Sequence, residues 1–196
     1  QDLYDAWGCN RVVFIGDIID HHCISFWKKD VDADGVTREA EMAYKAVRKW
    51  YKAFPKAEIM IGNHDERPYR LAASVNIPAR FIRDYDLVWD TPKWKWIDET
   101  IIDDVRYLHG IGFSGLQPAL SAAKEHGIST VMGHIHTVAG IRWSLTPKLR
   151  LFGMDVGCGV DRNHPAMSYA KYARKKSILS AGVVLDGIMP MHEIMP

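Results

Sequence analysis

Four apolar runs in this chain end beside a glycine and give way at once to acidic, amide or imidazole side chains. Val12-Val13-Phe14-Ile15 runs into Gly16-Asp17, and Ile59-Met60-Ile61 into Gly62-Asn63-His64-Asp65. Val105–Leu108 runs into His109-Gly110, and Val131-Met132 into Gly133-His134-Ile135-His136. A short, mostly apolar run suits a strand buried on both faces. The residues that follow do not suit a core, because each buried polar group needs a partner. Polar groups gathered at the C-terminal ends of buried strands are where α/β proteins place ligands. The pattern therefore constrains the chain to an α/β fold with chemistry along one edge of its sheets.

The length of 196 residues suits one domain, taken as residues 1–196, with a sizeable core. A formal net charge of +1 gives no argument for a nucleic-acid or anionic-membrane partner. No apolar run is long enough to span a membrane, and no basic-then-apolar leader opens the chain. Cys9, Cys23 and Cys158 show neither zinc spacing nor a disulfide framework, so a reducing, cytoplasmic setting is expected. The chain begins with Gln1 and not with Met, which reads as a fragment, a processed form or a trimmed sequence.

Between the motifs, residues 1–7 read as a helix stopped by Gly8 and Asn10. Asp30, Asp32, Asp34, Gly35 and Glu41 fit a calcium-loop pattern, although Thr37 and Arg38 fit it poorly. The simpler reading is an acidic loop favouring the start of the next helix. That helix carries an apolar stripe of Met42, Ala43, Ala46, Val47, Trp50 and Phe54. Arg67 opens another helix, placed either to meet an anionic group or to pair with Glu66 or Asp65. Trp94 and Trp96 alternate with Lys93 and Lys95, which predicts a half-exposed strand, read mainly as packing into a second sheet and less readily as stacking on nucleobases. A helix is expected over Leu116, Ala119, Leu120 and Ala123, ending at Gly127. Residues 149–152, 154–157 and 178–185 read as strands of the second sheet, with Asp155, Cys158, Asp161 and His164 in a loop bordering the site. The basic cluster at 171–176 reads as solvated surface.

His134 and His136, two apart just after a strand, point the same way and suit shared metal ligation. Carboxylate, imidazole and amide oxygen together suit a divalent ion such as manganese, iron(II) or zinc. In order and spacing, Gly16-Asp17-Ile18-Ile19-Asp20, Gly62-Asn63-His64-Asp65, His109-Gly110 and Gly133-His134-Ile135-His136 resemble the motifs of the calcineurin-like metallophosphoesterases. Arg67 and the acidic loop resemble a compact bacterial and phage subgroup of that family. The resemblance implies two mixed β-sheets sandwiched with flanking helices, one or two divalent ions (manganese favoured; iron(II), zinc or nickel the others), and a phosphomonoester or phosphodiester substrate. It implies Asp17 as a bridging carboxylate, Asn63, His109 and His134 around one ion, and His136 on the other. His64 would face the phosphate and serve the leaving oxygen, Asp65 would orient His64, and Arg67 would bind substrate.

One departure follows from the same comparison. The family's first motif, an Asp-x-His after an earlier strand, has no counterpart, since Asp2 and Asp5 both lack it. Three readings are open: a strand lying upstream of Gln1, a single-metal enzyme, or substitution by His21 or His22. Loss of a strand would favour homodimerisation or pairing with another chain. The opposing reading of the whole chain is a non-catalytic relic that binds metal or a partner. A nucleotide or nucleic acid is the slightly preferred substrate.

Overall fold

Every residue of β2 (Ala57–Met60) is buried, which requires cover on both faces of the strand. The structure, a computed structural model, describes residues 2–26, 35–160 and 176–195. Asp30, Asp32, Asp34, Asp161, His164 and residues 171–175 of the basic cluster lie outside the described residues. β2 is the middle strand of a parallel sheet, flanked by β1 (Val13–Phe14) and β3 (Trp94–Ile97). On one face Ala57, Ile59 and Trp94 pack with Val47 of helix α2 (Val36–Ala53). Helix α1 (Asp2–Ala6) ends before Gly8, whose φ is +60°, and its Tyr4 meets Phe54 edge-on at 5.5 Å.

The α2 stripe is narrower than its sequence suggests. Ala43, Val47 and Tyr51 face the core, while Met42 and Trp50 are 45% and 48% exposed. Glu41 projects from α2 into solvent, whereas Glu39 accepts from the amide of Cys23 at 2.9 Å and from that of His22. The short 3-10 turn His22–Ile24 is thereby tied to the helix. Trp94 and Trp96 belong to β3 of the first sheet, not to a second one. Their rings point to the α2 face, Trp94 lying 5.2 Å from Phe14 and 5.6 Å from Tyr51, while Lys95 is exposed.

Helices α3 (Arg67–Ser74) and α4 (Tyr85–Val88) connect β2 to β3. The chain then builds a five-stranded mixed sheet: β4 (Glu99–Ile102), β5 (Val105–Leu108), β6 (Ser129–Met132), β8 (Arg150–Val156) and β7 (Ala139–Leu145), in that spatial order. Helix α5 (Pro118–His126) covers one face, its Ala119 and Ala122 packing on Leu108 and Met132. Leu116 lies outside it, 78% exposed, and Gly127 ends it at φ +68° as expected. On the other face Val105, Val131, Phe152 and Met154 pack with Ile15, which follows β1 and so links the two sheets.

The expected break between residues 152 and 154 is absent; β8 runs through Gly153. A Cβ there would lie 2.1 Å from the backbone nitrogen of Leu120, so this glycine marks close approach of α5 and not a turn. β9 (Ser180–Leu185) pairs with β10 (Met189–Ile194) as a separate antiparallel hairpin, and not within the second sheet. The architecture is thus mixed α/β, with helices flanking several sheets. No helix among the described residues is long and apolar enough to cross a membrane.

Candidate metal centre

Strands β1 and β2 run parallel, as do β5 and β6, so the four motifs emerge from C-terminal strand ends. Two glycines let those ends converge. A Cβ on Gly62 would lie 2.1 Å from Asp17 Oδ1 and 2.4 Å from Asp17 N, so only glycine lets the loop after β1 rest on the loop after β2. A Cβ on Gly16 would lie 2.5 Å from His109 Nδ1, and its φ of +84° also favours glycine. Asp17 and His134 adopt left-handed backbones at φ 52° and 67°. Such conformations are uncommon outside glycine and cost on the order of 1 kcal/mol each, a kind of strain that clusters at functional sites.

Asp17 divides its carboxylate between two tasks. Oδ1 accepts from the His64 amide at 2.8 Å, and Oδ2 lies 3.3 Å from His109 Nε2. His109 is buried, with Nδ1 2.6 Å from the carbonyl oxygen of Ile15. A carbonyl only accepts, so Nδ1 carries a proton and Nε2 is the nitrogen turned inward. That Nε2 lies 3.2 Å from Asn63 Oδ1 and 3.1 Å from His134 Nδ1. The ligand atoms of Asp17, His109 and His134 all fall within 4.8 Å of one another.

Electron-rich atoms crowded in this way repel one another unless a cation or proton lies among them. Around an ion with bonds of about 2.1 Å, neighbouring ligand atoms stand about 3.0–3.4 Å apart. The contacts of 3.1–3.3 Å at His109 Nε2 match that spacing. The His109 bond to a backbone carbonyl is also the outer support that metal-binding histidines use. Burial disfavours the His109 imidazolium, but Asp17 outweighs it and holds the ring above its ordinary value. Burial would likewise raise Asp17, yet His109 and His64 hold it below the ordinary carboxylate value. Burial, helped by His109 and opposed by Asp17, lowers His134, which favours the neutral ring whose lone pair a metal needs.

His136 lies outside this tight group, although Asp17, His64, His109 and Asp20 all act on it electrostatically. Burial lowers its basicity. His21 packs its ring on Trp89 at 5.9 Å, and His22 stands 4.0 Å from Asp20 Oδ2; neither joins the group.

His64 faces the same centre, with Nε2 3.9 Å from Asp17 Oδ2. Its Nδ1 lies 2.6 Å from Asp20 Oδ1, so Asp20, and not Asp65, orients the ring. Asp65 is fully buried beneath the loop. Its Oδ2 accepts from the amides of Asp17 at 2.8 Å and Gly62 at 2.9 Å, and its Oδ1 from that of Ile19 at 3.1 Å. Burial pushes Asp65 up to about 7, with Asp17 adding to the rise and the three amides opposing it. Arg67 bonds the Asp20 carbonyl and lies 3.0 Å from Asp20 Oδ1, so neither Glu66 nor Asp65 is its partner. Burial would raise Asp20, but His64, Arg67 and His22 hold it low. Ile24, Phe26, Asn63, His64, Arg67 and Arg70 surround a cavity of about 130 Å³ here.

Sequence reasoning missed Asp20 as the partner of His64, although it closes the Gly16-Asp17-Ile18-Ile19-Asp20 motif. It also misplaced Asp155, which sits within β8 and not in a loop. There its Oδ1 accepts from the Ala119 amide at 3.2 Å, in the first turn of α5. Cys158 forms an isolated bridge with Leu179. Compared with family models and with curated proteins, the chain matches none.

Proposed function

We propose that this chain is a metal-dependent phosphohydrolase of the calcineurin-like metallophosphoesterase kind, with its two larger sheets facing each other as in that fold. The observation that carries the reading is the convergence of Asp17, Asn63, His109 and His134 beside a histidine that is oriented by its own carboxylate. Those four residues would hold a divalent ion, with manganese favoured over iron(II), zinc and nickel for this donor set. Such an ion supplies Lewis acidity, acidifying water and neutralising phosphoryl charge. A second ion would draw on Asp17 and His136.

His64 has the remaining role. With its Nδ1 proton held by Asp20, the ring borders the cavity and turns Nε2 toward Asp17, where it can deliver a proton to a departing alkoxide. Asp20 fixes the tautomer and the orientation of the ring. Arg67 fastens Asp20 and places positive charge beside the phosphoryl position. A phosphodiester, including a nucleotide or nucleic acid, is favoured over a monoester because Phe26 and Arg70 line the same cavity as His64 and Arg67 and offer contacts to a second ester group.

The test uses chelator-treated protein with each ion restored, assayed on bis-p-nitrophenyl phosphate and p-nitrophenyl phosphate. Turnover should return with metal and fall by at least about 10²-fold in His64→Ala, with metal content unchanged. Survival of activity in that variant, or no turnover with any ion, would overturn the assignment.

A further inference from the structure

Helix α3 separates two cavities of opposite chemistry. Arg67 and Arg70 face the small one beside His64, whereas Tyr69 faces a larger cleft of about 480 Å³. The wall of that cleft is aromatic. Tyr85 stacks on Trp96 with ring centres 4.9 Å apart and planes inclined by 18°, Tyr69 lies 5.2 Å from Tyr85, and Trp94 closes the base.

Each of these rings has its polar end engaged by the protein. Trp94 Nε1 donates to the Phe54 carbonyl at 2.7 Å and Trp96 Nε1 to Thr91 Oγ1 at 3.2 Å. Tyr69 donates to the Arg83 carbonyl at 3.2 Å and Tyr85 to the Asp65 carbonyl at 3.3 Å. What remains for a ligand is the ring surface that these side chains do not turn on one another, and the carboxylates of Glu66, Asp84 and Asp86, with no lysine or arginine lining the cleft among the described residues. Phosphate finds no side-chain donor here. A ligand that brings positive charge and apolar surface finds both partners, since aromatic faces attract cations and carboxylates balance them. Burial is the main reason the Tyr69 and Tyr85 phenols are raised, with Asp84 adding at Tyr69, and Asp65 and Glu66 at Tyr85.

We propose that this cleft is a binding site for an organic ammonium ion, held over Tyr69, Tyr85 and Trp96 and neutralised by Glu66, Asp84 and Asp86. The site is separate from the metal centre, and the proposal does not depend on the phosphohydrolase reading. Through the Tyr85 hydroxyl on the Asp65 carbonyl, an occupant sits against the turn that carries His64.

The experiment is calorimetric titration of the full chain with choline chloride, beside 3,3-dimethylbutan-1-ol, its neutral carbon isostere, at constant ionic strength. Choline should bind saturably and at least about 10-fold more tightly than the isostere, the ratio expected of a partly desolvated cation–π contact. The double variant Asp84→Asn/Asp86→Asn and the single variant Tyr69→Leu should each weaken choline binding several-fold, with melting temperatures measured on the same samples. Equal binding of choline and isostere, no saturable binding of choline, or unchanged affinity in folded variants would each overturn the proposal. The isostere comparison is made on the unaltered protein, so it decides even if a variant does not fold.

Discussion

Asp20 and Asp65 are both carboxylates close to His64, and the two do different work. Asp65 follows His64 in sequence, which suggested contact, but in a tight turn adjacent side chains diverge. Asp65 turns inward to three amides, and the acid that meets His64 comes from another loop. Removing the Asp65 carboxylate strands three amide donors, two of them in buried bonds, each worth about 1–3 kcal/mol. Asp65→Ala should therefore lose at least about 3 kcal/mol of stability in urea unfolding. Asp20→Asn keeps an acceptor for His64 and Arg67, but its amide can also donate and no longer fixes the tautomer. It should unfold within about 1 kcal/mol of the unaltered protein while losing at least about 10-fold in turnover. The reverse pattern, with Asp20→Asn unstable and Asp65→Ala stable, would sink this division of roles.

At the scale of elements, the strands that carry the site were legible because each apolar run is too short for a helix and stops at a glycine or a polar residue. β8 and β3 were misread because their cues are tertiary. Gly153 is a glycine for the sake of Leu120, and the tryptophans of β3 lie on the face of the sheet that α2 covers. Asp155 belongs to the same class, a strand residue that holds a helix start. Burial pushes its carboxyl up to about 6, against the Ala119 amide and Arg142, from an ordinary 3.8. A carboxyl raised on folding stabilises most below its unfolded value, and that contribution is lost as pH rises through the folded one. The relevant window therefore runs from about pH 4 to pH 6, and the effect is at most on the order of 2–3 kcal/mol. Asp155→Asn keeps the bond to Ala119 and removes the titration. Urea unfolding at the two ends of the window should show the unaltered protein losing more stability with rising pH than the variant does. Parallel profiles would place the charge of Asp155 elsewhere in the energetics.

The whole molecule adds what no single motif contains, the meeting of ligand atoms from two sheets. Asp17 and Asn63 follow strands of the parallel sheet, and His109 and His134 follow strands of the mixed one. Sequence order named these residues, but which atoms face one another depends on Gly16, Gly62 and the left-handed backbones of Asp17 and His134. An ion bound by all four would tie the sheets together, and unfolding would have to release it. Binding to the folded state alone adds about 2.7 kcal/mol at a hundredfold excess of ion over its Kd. Metal should therefore raise Tm over the chelator-treated protein by several degrees, roughly the shift that such an increment gives a chain of this size. The informative quantity is the metal-dependent difference, since His109→Ala also opens a cavity in a buried position. That difference should largely vanish in Asn63→Ala and in His109→Ala, one ligand from each sheet, and mostly persist in His136→Ala, which lies outside the group. If only the histidine of the mixed sheet mattered, the ion would be a ligand of one sheet and the joint centre would be wrong. If His136→Ala abolished the shift as completely as His109→Ala, the stabilising ion would be the one that draws on Asp17 and His136.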